Sequence, residues 1–110
     1  MHITLEPGFQ ISLVTMKRLW CGVIPTCEKH NARCVLIEGE GPTRAMRTTD
    51  AWEHGNLLAD LMRRPLRIAL CLYAYQPDEL SHLFASIASG RLGAVKFFSD
   101  LEKSLKWLRN

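Results

Sequence analysis

Two short runs, Arg33-Cys-Val-Leu-Ile-Glu38 and Arg67-Ile-Ala-Leu-Cys-Leu-Tyr73, are apolar throughout, between polar or charged ends. A strand with one solvated face alternates apolar and polar residues, and these two do not. They therefore need cover on both faces, the condition of a central strand in a parallel sheet flanked by helices. Ala94-Val-Lys-Phe-Phe98 reads as a third, shorter strand, and Met1-His-Ile-Thr-Leu5 as a fourth at a sheet edge.

Helical spacing fills the intervals. Leu13, Met16, Trp20, Ile24 and Cys27 recur every three or four residues, with Ser12 placed to cap the segment. Gly22 and Pro25 weaken this helix, and Pro25 is expected to kink it. The competing reading for the first fifteen residues is a hairpin turning at Pro7-Gly8. A second helix opens at Thr48-Thr49-Asp50, turns Ala51, Gly55, Leu58 and Met62 inward, and stops before Pro65. Its first turn suggests a capping box from Asp50 and Glu53. A third is expected from Pro77, burying Leu80, Leu83, Phe84, Ile87 and Ala88. A fourth starts at Ser99-Asp-Leu-Glu102, another capping-box pattern, and buries Leu101, Leu105 and Leu108. The order is strand-helix four times over: an α/β chain whose mostly parallel, single-layer sheet of about four strands carries packed helices, as one domain over residues 1–110.

The chain of 110 residues is 47% hydrophobic, enough for one core. Its net charge of +3 comes from 14 basic and 11 acidic residues, and the one basic cluster, Arg63, Arg64 and Arg67, is too sparse for a nucleic-acid stripe. No apolar run approaches the roughly 20 residues of a membrane span, and the first residues lack a signal-peptide layout. A cytoplasmic location with reduced thiols is the expectation.

Cys27, His30 and Cys34 can be written C-x2-H-x3-C, which raises zinc. A structural zinc site needs four convergent ligands, whereas Cys27 shares a helix face with Trp20 and Ile24, and Cys34 and Cys71 fall in strands. They read as small packing residues, leaving Cys21 exposed; neither metal nor cofactor is expected. His54 and His82 read as helix-surface residues, and no nucleophile elbow, Walker loop or dinucleotide fingerprint occurs. Glu38-Gly-Glu-Gly-Pro42 is glycine-rich after a strand, but its two carboxylates would repel phosphate, so it reads as a turn.

Sites in parallel sheets gather at the carboxyl ends of the strands. There the candidate binding crevice comprises Glu38, Glu40, Thr43, Arg44, Arg47, Tyr75 and Ser99. Thr48 and Thr49 start a helix, where a hydroxyl caps free N–H groups; a phosphate added there would be favoured by the helix dipole, making both residues candidate phosphorylation or switch positions.

Several segments resemble the small bacterial STAS-like, or SpoIIAA-like, proteins related to anti-sigma-factor antagonists. They are Phe84-Ala-Ser-Ile-Ala-Ser-Gly-Arg-Leu-Gly93, Val95-Lys-Phe-Phe-Ser-Asp100 and Leu105-Lys-Trp-Leu108. Cys27 to His30 before Val35-Leu-Ile-Glu38, Thr48-Thr49-Asp50-Ala51 and Arg67-Ile-Ala69 add to them. The resemblance spans roughly residues 16 to 110 and implies an α/β sandwich that binds partner proteins without catalysis. It also implies a phosphorylated hydroxyl at the helix start matching Thr48-Thr49, although the Asp-Ser pair and following glycine pattern are absent here. The family's longer N-terminal pair of strands has little room in this chain, which leaves a sheet edge open or paired with another subunit. The expectation is a regulatory module of bacterial signalling whose partner is another protein or a second copy of the chain. The alternative is a carrier of a lipid or small apolar ligand in a groove between helices, since some relatives resemble lipid-binding domains.

Overall fold

The computed structural model describes residues 1–10, 12–42, 46–90 and 93–109, without the Leu13 side chain. Four strands alternate with four helices: β1 (His2–Thr4), α1 (Leu13–Lys29), β2 (Cys34–Gly39), α2 (Thr48–Leu61), β3 (Arg67–Leu72), α3 (Glu79–Ser89), β4 (Ala94–Phe98) and α4 (Leu101–Arg109). They form one sheet, and every neighbouring pair is parallel. The sheet order is the chain order, β1-β2-β3-β4, so each crossover steps the same way across the sheet. With crossovers of one hand, α1, α2 and α3 must stack on the same face.

The two faces are therefore unequal. Val35, Ile37, Ile68, Leu70 and Val95 point to the three-helix side, where they meet Trp20, Ile24, Cys27, Leu58, Phe84 and Ala88. Leu36, Ala69 and Cys71 point the other way, onto Leu101, Leu105, Trp107 and Leu108 of α4. The missing polar alternation in β2 and β3 thus has its cause: both strands are covered twice. Among the described residues α4 packs on β2, β3 and β4 and leaves β1 uncovered. Arg67 lays its guanidinium carbon 4.5 Å from the centre of the Trp107 ring, closing the rim of this smaller core.

The helix boundaries refine the sequence expectations. Ser12 caps α1 and accepts from the Thr15 amide, which disposes of the hairpin alternative: β1 pairs with β2 instead. α1 continues through Pro25 to Lys29; the proline and Cys21, whose carbonyl loses its helical donor, are both exposed, so water can meet that carbonyl. α2 is capped differently from expectation. Its N-cap is Arg47, whose amide donates to Asp50 Oδ2 at 2.9 Å, so Thr48 and Thr49 sit in the first turn as exposed residues and not as caps. α3 starts after Asp78, whose carboxylate accepts from the Ser81 amide; Pro77 lies outside it. Leu80, Leu83 and Ile87 are half-buried there, and Ser81, Phe84, Ala85 and Ala88 form the inner stripe. Asp100, not Ser99, caps α4 by accepting from the amides of Glu102 and Lys103.

Arg64 fastens the turn between α1 and β2. Its Nη2 donates to the carbonyls of Cys27 and Ala32, both at 2.7 Å, and its Nη1 to Asn31 Oδ1 at 2.5 Å. A cation at a helix C-terminus is also favoured by the dipole. Asn31 takes the left-handed conformation, φ 54°, that ends many helices. The neighbouring basic residues therefore serve structure: Arg64 here, Arg67 on Trp107.

Arg64→Met keeps the aliphatic stem and removes the donors. Two carbonyls lose a charged partner, and a loss of about 1–3 kcal/mol is expected in urea unfolding. Gly55→Ala reverses the usual helix preference. A Cβ there would stand 2.9 Å from both Cβ and Cγ2 of Ile87 and 3.2 Å from the Phe84 carbonyl, where α2 and α3 meet most closely. Propensity alone favours alanine by about 1 kcal/mol, but the overlap is expected to outweigh it, so the melting temperature falls.

Candidate functional site

The parallel sheet brings the carboxyl ends of all four strands to one edge of the molecule, but the crevice residues expected there do not converge. Side-chain alternation sends Glu38 to the α4 face, in step with Leu36, while Tyr75 belongs to the three-helix core. Glu40 and Ser99 are exposed, and Arg47 stands at the start of α2. Thr43 and Arg44 lie outside the described residues. Three separate groupings replace the single crevice.

The first is polar and lies where α4 stops short of β1. His2 Nε2 is 2.7 Å from Glu38 Oε1, across the β1–β2 pair, and the Tyr73 hydroxyl donates to Glu38 Oε2. Tyr73, 46% exposed, and His2 both stand at the surface around the less exposed Glu38. Its hydrogen bond, then that from His2, holds the Glu38 carboxyl below its ordinary value. The same bond, with burial second, holds the Tyr73 phenol above its ordinary value. Glu38 thus stays an anion with both oxygens engaged, and the pair of bonds ties the edge strand to the sheet.

The second grouping is an apolar cavity of about 40 Å³ on the three-helix side, at the strand ends. Ile37, Leu70, Leu72 and Phe97 form its floor, Met16, Leu19, Trp20 and Phe84 its helical walls, and Leu5, Phe9, Pro42, Met46 and Tyr75 its rim. Gly41, at φ +91°, brings the loop after β2 onto β3: a Cβ there would lie 2.9 Å from Tyr75 Cβ. The Tyr75 hydroxyl is 2.6 Å from Ser81 Oγ, which donates to Asp78 Oδ1 at 3.1 Å. Burial raises the Tyr75 phenol above its ordinary value, partly offset by Ser81. Ligand sites for drug-sized molecules measure about 300–1,000 Å³, so a lipid acyl chain does not fit this cavity as it stands.

The third grouping is the outer surface of α2. Thr48 and Thr49 are exposed, and Trp52, one turn further along, is 54% exposed. Spacings of three and four put all three on one stripe of the helix. Asn56, a turn beyond, donates from Nδ2 to the Trp52 carbonyl at 2.8 Å. Asp50 and His54, in contrast, are buried in the same helix, His54 to 1% exposure, so the expected surface role of His54 is corrected. Trp52 was missing from the expected site, yet its signal was present: it falls off the Ala51, Gly55, Leu58 face, and an outward tryptophan is uncommon.

The thiols take the packing positions expected of them. Cys27 and Cys71 are buried, Cys34 is half-buried with its Sγ 3.4 Å from the Leu108 carbonyl, and Cys21 is exposed. Burial pushes the Cys27 thiol above its ordinary value. Among the described residues no three His, Cys, Asp or Glu side chains gather as a metal would require, and no helix is long and apolar enough to cross a membrane.

Glu38 gives a signed pH prediction. Its folded value is depressed, so its favourable contribution is complete above the ordinary 4.5 and is lost as pH falls through the lower folded value. Tyr73→Phe removes the larger cause, and the Glu38 midpoint in a carboxyl-carbon NMR titration should climb toward 4.5. An unmoved midpoint would mean the phenol does not hold the carboxylate in solution.

No family model, no curated protein and no solved structure matches this chain. The four parallel strands with helices on both faces form a generic α/β architecture of repeated βα units, of the Rossmannoid or STAS-like kind.

Proposed function

We propose that the chain is a non-catalytic, STAS-like regulatory module that docks a protein partner on the outer surface of α2. The observation that carries this reading is Trp52, an exposed indole one turn from two exposed hydroxyls. Tryptophan left in water presents a large rigid apolar surface, and it is among the residues that dominate binding energy when a partner covers it. α2 lies between α1 and α3 in the helical layer, so this surface is backed on both sides by packed helices. Thr48 and Thr49 stand at its edge, where an added phosphate would change the charge met by an incoming partner.

A photo-crosslinking residue at position 56, on the same stripe of α2 with Trp52 left in place, compared with one at Glu102 on α4, tests the surface against the host proteome. The reading expects a discrete adduct from position 56 and none from position 102; equal or absent labelling at both overturns it. With the captured partner in hand, Trp52→Ala should weaken binding by at least about thirtyfold, corresponding to roughly 2 kcal/mol, while unfolding stability changes by less than about 0.5 kcal/mol. A second copy of the chain as partner would show as concentration-dependent sedimentation that Trp52→Ala abolishes.

A further inference from the structure

We propose that the open groove at the amino ends of β2, β3 and β4 is a binding site for a small organic phosphate, a phosphomonoester held by Arg33, Arg67 and Arg109. This goes beyond the protein-docking reading and lies at the opposite end of the strands from the start of α2.

Charge in this chain is sorted along the strand direction. Helices that return beside a parallel sheet end where its strands begin. Lys29, Arg63, Lys106 and Arg109, at or just past helix ends, therefore share one pole with Arg33 and Arg67. Among the described residues, Glu28 and Asp60 are the acids of those helix ends. Glu40, Asp78, Glu79, Asp100 and Glu102 collect at the other pole, after strands or at helix starts. The helix dipole accounts for cations in a last turn. It does not account for Arg33 and Arg67, which stand where strands begin.

Those two arginines and Arg109 line one groove between the strand starts and the end of α4. None of its described lining residues is acidic, and Pro65, Leu66, Ala94 and Leu108 add carbon surface. Arg33 and Arg109 are exposed, and Arg67 is half-buried against Trp107. The Cys34 thiol, 3.4 Å from the Leu108 carbonyl, ties the end of α4 to β2, so the groove stands on fixed elements. The ion pairs among the described residues, His2 with Glu38 and Arg47 with Asp50, involve none of the three arginines. Like charges sharing a groove without a counter-charge repel, and a bound anion relieves that repulsion.

Guanidinium groups match carboxylate and phosphate alike. A carboxylate brings one charge, whereas a phosphomonoester brings about −1.5 to −2 at neutral pH and three strong acceptor oxygens, enough for more than one arginine. The groove measures about 700 Å³, within the range of about 300–1,000 Å³ usual for small-molecule sites. The Trp107 ring is engaged by Arg67 and by Phe98, at 5.6 Å between ring centres, so it offers a nucleic-acid base no open stacking platform.

The test titrates the ¹⁵N-labelled chain with phenyl phosphate at neutral pH and about 150 mM salt, reading the arginine Nε–H resonances. The Arg33, Arg67 and Arg109 signals should move together and saturate in the millimolar range. Arg33→Gln and Arg109→Gln, both at exposed positions, should each weaken binding by about tenfold. Lys29→Gln and Arg63→Gln, at the same pole but outside the groove, should change it by less than about twofold. Inorganic phosphate, which lacks the ring, and benzoate, which lacks the second charge, should both bind more weakly than phenyl phosphate. Equal losses in all four variants would reduce the site to diffuse attraction by the pole and overturn it. A response that never saturates overturns it too, as does benzoate or inorganic phosphate binding as tightly as phenyl phosphate. An RNA duplex that displaces phenyl phosphate and binds more tightly would replace the small ligand by a nucleic acid.

Discussion

The double burial of β3 is the constraint on which the remaining architecture depends. Its residues Ile68, Leu70 and Leu72 pack under three helices, while Ala69 and Cys71 pack under one. A strand with carbon on both sides cannot occupy an edge or face water, so the chain must build on both flanks of it. β2 and β4 supply the flanks in strict sequential register, and each crossover helix is then forced onto the same side. The fourth helix lies over the opposite face. Nine residues are enough to roof β2, β3 and β4, and the roof ends before β1. The His2, Glu38 and Tyr73 cluster occupies the area it leaves uncovered.

Each face contributes something different at the strand ends. The three-helix side closes around carbon and leaves a small apolar cavity. The α4 side stays wet and carries a carboxylate held by two neighbours. On the outer surface of α2, on the three-helix side, an exposed aromatic ring lies one turn from the helix start. The grouping depends on how α2 begins. Because Asp50 answers the Arg47 amide, the two threonine hydroxyls are released from capping and left available at the surface.

Much of this was legible in the chain. The unbroken apolar runs identified β2 and β3 and their need for two covering layers, and the three- and four-residue spacing of Met16, Trp20, Ile24 and Cys27 identified the inner face of α1. The cysteines were readable as filler because they interrupt neither pattern. What resisted reading was anything set by which side of the sheet a residue joins. Glu38, near the end of β2, and Tyr75, just after β3, lie at the same edge of the sheet, yet alternation and the turn after β3 send them to opposite sides. His54 was read as a surface histidine from its place on a helix, yet it is buried, next to Gly55 where α2 and α3 approach closely. Caps were misplaced by a residue or two, since several hydroxyls and carboxylates compete locally and the winner depends on the incoming chain direction.

The two margins of the sheet differ in a way that bears on assembly. On β4 the outward Val95 amide is taken by the Ser89 hydroxyl at 3.0 Å, and Lys96 places a charge on the same strand. On β1, the parallel ladder turns the backbone groups of Met1, Ile3 and Leu5 toward β2 and those of His2 and Thr4 outward. The side-chain bond thus withdraws one outward β4 amide from any ladder with a further strand, and no described bond does the same for His2 or Thr4. The obstacle to an added strand is therefore greater beside β4 than beside β1.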